Sequence, residues 1–426
     1  GGGFPGAEQS RAAIFQKTFL AGASFAQQFS SAFSNQSSAY GMFTELRNPT
    51  IRNYGKATEP HVGGRTVFTY KQQFAGSALN LSFGGELQQN FTTSTVLKNN
   101  SGNPDSLQTE DDIHIQQSFV FVQGNFGFRK WDLTSGVSLN SSTLRFRRAY
   151  PAPALEQNHT LNNEVAPRVA LARTFSAFTV YTSVAKGFSP PTSAELLPSG
   201  SAINLSLQAE EGVNYDLGIR GNLAKNLSAD INTFFFHLKN TIVQRRDAGG
   251  GDYFTNAGKT DQKGIETSLN YTLSPTPSFL RQGTIWLSHT YHHFRYKEFK
   301  QLTSDFSGNA LPGVAPHTIS SGIDVSGKNG LLANLTYFYS SKIPLNDANS
   351  MYADAYHLLG AKLGYEKWVN GQWRIKLIVG ADNLLNQKYS LGNDINAFGG
   401  RYYNAAAGRN YFASVVLQWF PKKPSA

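Results

Sequence analysis

The sequence predicts an all-β chain whose strands form an antiparallel transmembrane β-barrel. Three observations carry that expectation. Segments between 210 and 273 alternate apolar and polar residues with period two, and connectors along the chain alternate between short and long. No run approaches the roughly 18 consecutive apolar residues that a membrane helix needs. Period two puts successive side chains on opposite faces of a strand. Short turns at one end and long loops at the other are the pattern of a barrel that crosses a bilayer.

The alternation is clearest in the middle of the chain. Val213, Tyr215, Leu217 and Ile219 fall on one face, with Asn214, Asp216, Gly218 and Arg220 on the other. Leu227, Ala229 and Ile231 oppose Ser228, Asp230 and Asn232, and Ile265, Leu269, Tyr271 and Leu273 oppose Glu266, Ser268, Asn270 and Thr272. In chain order, strands are expected near 16–30, 38–46, 64–74, 79–90, 116–126, 131–146, 163–173, 178–188 and 212–221. More follow near 226–239, 262–273, 283–295, 315–326, 331–341, 354–368, 373–383 and 409–420. That makes about 17 strands. Short turns are expected at 75–78, 127–130, 174–177, 221–225, 274–282, 327–330 and 369–372. Long loops are expected at 46–63, 91–115, 147–162, 189–211, 240–261, 296–314, 342–353 and 384–408.

Composition agrees with this reading. Of 426 residues 40% are hydrophobic and 15% charged, against about 25% charged in an ordinary soluble protein. A barrel reconciles low charge with modest hydropathy, because every second strand residue faces lipid. The absence of cysteine excludes a disulfide framework and a thiolate metal or redox site. The net charge of +10 suits either contact with anionic headgroups or a positive funnel for an anionic ligand. Basic residues are scattered along the chain, which argues against nucleic-acid binding. A soluble propeller would show a recurring motif every 40–50 residues or so, and none is present. No nucleophile elbow and no HExxH motif occurs, and Gly249-Gly-Gly-Asp252 has no helical pattern behind it. The chain is read as a non-enzyme without a cofactor.

Several motifs resemble TonB-dependent outer-membrane receptors, in that family's order over roughly 250 residues. Residues 183–195 read SVAKGFSPPTSAE, and 207–221 read LQAEEGVNYDLGIRG. Residues 254–260 (FTNAGKT) are followed by QKGIE at 262–266. Residues 381–389 (ADNLLNQKY) are similar to the family's penultimate-strand motif, and Gly408-Arg-Asn410 opens its last strand. The resemblance implies a 22-stranded barrel plugged by an N-terminal domain, set in a Gram-negative outer membrane and energised through TonB. It further implies uptake of a scarce ligand such as a ferric siderophore, cobalamin, haem or an oligosaccharide. The GFSPPT–E run and the NAGKT–GIE pair look most like siderophore-type members. No plug or TonB box precedes the strands, and about five of 22 strands are unaccounted for. The expectation is therefore the C-terminal part of such a barrel over 1–420, followed by a tail over 421–426. A passive porin of about 16–18 strands and a surface adhesion barrel are the alternatives.

Candidate site residues follow from this frame. Arg148, Arg245, Arg246 and Arg401 sit at long loops and suit anionic chelates, because the guanidinium fork matches carboxylate and catecholate oxygens. Lipopolysaccharide phosphate is the competing partner for the same residues. Tyr352, Tyr402 and Tyr403 lie deep in loops, where they could stack on a ligand, although interface girdles claim most such aromatics. His293 joins the ligand set. It shares a face with His289 but not with His292, and no third ligand is apparent, so no metal site is expected. Asp216, Arg220, Asp230 and Glu266 are expected to face the lumen, since Arg or Lys at mid-bilayer costs roughly 2–4 kcal/mol. Their plainer role is a wet, salt-bridged wall.

Overall fold

A computed structural model describes residues 6–160, 163–197, 203–246, 252–301 and 304–421. Eighteen strands belong to one sheet, and the chain divides into two compact units: Gly1–Leu171 with Val184–Gly212, and Ala172–Ser183 with Val213–Ala426. Among the described residues no helix is long and apolar enough to cross a membrane, which says nothing about crossing by strands. Residues 422–426 of the expected tail lie outside the described residues.

The first unit is a meander. β1 (Phe15–Gln28), β2 (Phe33–Pro49), β3 (Asn53–Phe74), β4 (Ser77–Asn100), β5 (Asn103–Phe128) and β6 (Trp131–Tyr150) each pair antiparallel with the next. β7 (Leu155–Thr160) adds to β6; β8 (Glu164–Thr174) and β9 (Phe178–Ser189) come next in the chain, with residues 172–174 and 178–183 of them counted in the second unit. A four-residue helix, α1 (Ser193–Leu196), then begins at a reciprocal cap, where the Glu195 carboxylate accepts from Thr192 N at 2.7 Å and Glu195 N donates to Thr192 Oγ1 at 3.3 Å.

Two expected long loops are corrected here. Residues 46–63 and 91–115 are strand, continuing β2, β3, β4 and β5 to tight hairpins. Thr, Ser, Gln and Asn occupy both faces there, so the period shows no apolar side even though the backbone ladder continues. At the β4–β5 hairpin Ser101 and Gly102 take φ values of 50° and 87°. Positive φ at both central residues is the primed turn that matches strand twist. β7 is a further strand inside the expected loop at 147–162.

The second unit holds β10 (Glu210–Ala224), β11 (Leu227–Lys239), β14 (Lys259–Leu273), β15 (Leu280–Glu298), β18 (His317–Gly327), β19 (Leu331–Ser340), β22 (Tyr356–Val369), β23 (Trp373–Asp382) and β26 (Asn410–Trp419). Its loops carry small hairpins of their own: β12 (Ile242–Arg246) with β13 (Asp252–Asn256), β16 (Lys300–Gln301) with β17 (Ser304–Asp305), β20 (Ile343–Pro344) with β21 (Tyr352–Ala353), and β24 (Ser390–Asn393) with β25 (Tyr403–Ala405). Register keeps like faces together. Ala229 faces Leu269 and Leu227 faces Tyr271, while Asp230 faces Ser268 and Asn232 faces Glu266. The apolar rows include exposed Tyr215, Leu217, Ile265, Tyr271, Ile285, Leu335, Leu363 and Leu377.

Along the polar face, rings lie over glycines on the neighbouring strand. Tyr40 stands opposite Gly63, Phe234 opposite Gly264, Trp286 opposite Gly322 and Phe412 opposite Gly380. A Cβ at Gly63 would stand 2.5 Å from Tyr40 Cζ, and one at Gly264 would stand 2.5 Å from Phe234 Cζ. Only hydrogen leaves room for the ring. Tyr181 covers Gly218 in the same way. The Tyr40 hydroxyl then reaches Glu86 on β4 (2.7 Å), and the Tyr181 hydroxyl reaches Asp230 on β11 (3.1 Å).

Candidate functional site

Four loops of the second unit, spanning 240–258, 299–316, 341–355 and 383–409, knit into a cap of small hairpins. Among the described residues, one buried apolar cluster joins Ala257 and Phe299 of these loops to Tyr296 at the end of β15, and another joins Leu345, Ala353, Ala397 and Tyr402. Several sequence motifs are explained by this knitting. Asn256 Nδ2 donates to Asn240 O at 2.6 Å, and Ala257 N donates to Thr241 O at 2.6 Å. Gly258 has φ of 70°, and a Cβ there would run into the Glu298 carbonyl oxygen, so a side chain has no space. In the 381–389 motif Asn383 and Asn386 take φ values of 50° and 51°. Asn383 closes its turn by donating to Gln387 O (2.9 Å) and accepting from Gln387 N (2.8 Å). Asparagine tolerates that backbone through such local bonds.

At the centre of the cap is an ion pair. Arg245 on β12 is 5% exposed and Asp347 3% exposed, and Arg245 Nη1 pairs with Asp347 Oδ2. Tyr296 Oη donates to the carboxylate Oδ1 at 2.5 Å, and the Asp347 backbone is held as well, its N donating to Asn396 Oδ1 at 3.1 Å and its O accepting from Asn309 Nδ2 at 2.7 Å. The guanidinium sits 4.8 Å from the Phe299 ring centroid, and its Nε and Nη2 have no hydrogen-bond partner among the described residues. Burial pushes its pKa below the ordinary arginine value. Removing either partner of such a pair strands a buried charge.

The other expected ligand residues fall in different places. Tyr402 is buried in the Leu345 cluster. Tyr403 and Tyr352 are exposed at the cap surface, with Tyr403 Oη donating to Tyr352 O at 3.3 Å, and Arg401 is exposed beside them in sequence. The Arg246 side chain lies outside the described residues. Arg148 belongs to the first unit, where Nε and Nη2 grip buried Asp111 at 2.7 and 2.9 Å. Its pKa is raised, mainly by that hydrogen bonding. His293 stands opposite Lys263, on the face that carries Ile265 and Leu269 rather than Glu266. The face change follows from strict period two along β15, and it puts His292, not His293, on the polar side.

Asp216, Arg220, Asp230 and Glu266 share one face. Asp216 accepts from Ser183 Oγ (3.0 Å), Asn214 Nδ2 (2.7 Å) and Asn232 Nδ2 (3.4 Å), and Arg220 lies 5.4 Å from the Tyr181 ring centroid. Asp324 continues this polar face, accepting from Trp286 Nε1 (2.9 Å) and Asn334 Nδ2 (2.7 Å). His289 and His317 approach to 3.2 Å, but no group of three His, Asp or Glu side chains among the described residues could hold a metal. Sequence reasoning missed Asp347, Asn309 and Asn396. Their segments read simply as turn-rich loop, and nothing in the residue pattern marks Asp347 as buried.

A family model described as TonB dependent receptor-like, beta-barrel, matches residues 5–384. The chain belongs to this family. Among curated relatives, the pesticin receptor of Yersinia enterocolitica is 25% identical over 218 residues, which is 49% of this chain and 29% of the relative. The ferric citrate transporter FecA, in its unliganded form, is similar in fold with a TM-score of 0.78 at 17% identity, over 96% of this chain and 62% of that one. The ferric yersiniabactin uptake receptor FyuA of Yersinia pestis gives 0.72 at 16% identity, over 96% of this chain and 62% of that one. The copper transporter OprC gives 0.76 at 15% identity, over 95% and 66%. This TonB-dependent receptor chain thus spans less than two thirds of its curated relatives and structural neighbours. The family is described as receptor-like, and these neighbours as transporters and an uptake receptor.

Proposed function

We propose that the protein acts in the outer membrane as a TonB-dependent receptor that captures a ferric siderophore and imports it with energy from TonB. The observation that carries the reading is the match to the receptor barrel family over residues 5–384. Solved relatives of the same fold, described as handling ferric citrate, ferric catecholate and ferric yersiniabactin, support the choice of ligand. In this reading the knitted cap forms the capture face, with Arg245 at its centre and Arg401, Tyr352 and Tyr403 at its surface. Asp216, Arg220, Asp230 and Glu266 line the lumen as a hydrated wall. Exposed basic residues meet lipopolysaccharide phosphate where the cap meets the membrane surface. Nothing covalent happens to the ligand.

The test is uptake of labelled ferric siderophore by cells expressing the intact gene product under iron starvation, with and without the proton-motive force. Uptake that collapses with the proton-motive force is expected. Energy-dependent uptake of cobalamin, haem or a glycan alone would move the ligand and keep the machine. Uptake indifferent to energy would sink the proposal in favour of a passive pore.

A further inference from the structure

We propose that the apolar face of the second unit ends, on its cap side, in a docking surface for the phosphates of lipopolysaccharide, with Lys263 and Arg295 as its two cations. The inference rests on the outer-membrane reading above and names the residues of one lipid contact. Period two and register place the surface. Ile265 and Lys263 of β14 lie on one face, and on that face Tyr291 of β15 stands opposite Ile265, His293 opposite Lys263 and Arg295 opposite Asp261. Two residues, roughly 7 Å of strand, separate exposed Ile265 from exposed Lys263. A row of rings marks the change from apolar to charged. Tyr291 stands opposite His317, and His289 shares a rung with His357 through Ile319 and Tyr339. Rings with an apolar body and a polar edge suit the boundary between lipid tails and water.

Both cations are available to a ligand. The carboxylates of this face are already engaged, Asp261 with His237 Nδ1 at 2.7 Å and Glu298 with Lys259 Nζ at 2.8 Å. Lys263 and Arg295 are exposed, and neither meets a carboxylate among the described residues. Arg295 is aimed by its own bonds, Nε donating to His293 Nε2 at 3.1 Å and Nη1 to Gly308 O at 2.7 Å, which leaves Nη2 for a ligand. The two side chains are diagonal neighbours, roughly 7–8 Å apart. One phosphate bridges that gap with charge-assisted bonds of about 2.8 Å to each side. A soluble anion gains only those bonds, whereas a phosphorylated lipid also lays its chains on the apolar rows beside them.

The experiment counts lipid A bound to the intact gene product in detergent by native mass spectrometry. Its probes are bisphosphorylated lipid A, the enzymatically dephosphorylated form and inorganic phosphate. The phosphorylated lipid is expected to bind at least about tenfold more tightly than the dephosphorylated one, since each basic residue at an anionic surface contributes about fivefold. Lys263→Gln with Arg295→Gln should remove that preference. Lys263→Arg with Arg295→Lys keeps both charges and should keep it. Equal binding of the two lipids, a preference that survives neutralising both residues, or its loss in the charge-preserving variant would each overturn the proposal. So would inorganic phosphate that displaces the lipid at comparable concentration. Phosphate-dependent lipid binding with energy-independent uptake would keep this inference and remove the transport reading. Energy-dependent uptake by a receptor blind to lipid phosphate would do the reverse.

Discussion

His293 shows how position on a strand sets chemistry. It lies on β15 beyond the last rung shared with β18, Tyr291 opposite His317. Its Nε2 accepts from Arg295 Nε at 3.1 Å, and Lys263 stands opposite it on β14. Arg148 and Asp111 make a second residue-scale case. Asp111→Ala removes a buried carboxylate that meets the half-buried Arg148 guanidinium through two hydrogen bonds, and should cost about 3 kcal/mol in urea unfolding. Asp111→Ala with Arg148→Met should recover part of that loss, because the carboxylate and the cation it met are removed together. Arg148 was legible in the sequence as a basic loop residue, but its partner was not. Asp111 sits 37 positions away, and only the strand register brings the two together.

At the scale of elements, the register accounts for what the sequence could and could not convey. Alternation in β10, β11 and β14 was plain because one face carries a row of apolar residues: Val213, Tyr215, Leu217 and Ile219 in β10, Leu227, Ala229 and Ile231 in β11, and Ile265, Leu269 and Tyr271 in β14. β4 and β5 hid residues 91–115 because Thr, Ser, Asn, Asp and Glu fall on both faces there, and polar residues on both faces carry no period. The rings over glycines were equally hidden, since a glycine in a strand announces itself only as a weak strand former. Gly264→Val tests them. The added side chain must displace Phe234 or the Tyr291 carbonyl, 2.6 Å from the new Cβ. Overpacking of this kind costs about 1–3 kcal/mol, and a matching drop in the urea midpoint is expected. Gly76→Ala, in a turn with nothing within 4 Å of the new Cβ, should cost only the strain of its positive φ. Equal losses at the two sites would contradict the packing account.

Over the whole molecule, composition decided the class, and motifs decided the family. Low charge without a long apolar run left strands as the only way across a bilayer, and the residues of the 254–260 and 381–389 motifs turned out to serve loop knitting. Ligand chemistry was less legible, because it depends on which loop cations are buried and which are free. Limited proteolysis reads that division directly. Trypsin acting on the folded protein should cut after exposed Arg401 and Lys300 and spare Arg245 and Arg148, with fragments assigned by mass spectrometry. Early cleavage after Arg245 would mean that the cap does not stay knitted in solution.

The phenols of Tyr40 and Tyr181 each start on one strand, cross a glycine on the next and end on a carboxylate of the third. They act as rivets through three plates. Sliding one strand by a single residue would carry a ring off its glycine onto a side chain and strip the carboxylate from its donor. The sheet is therefore stiffest against shear at those rungs, and a pull directed along the strands would be shared there between side chains and backbone rather than borne by the ladder alone.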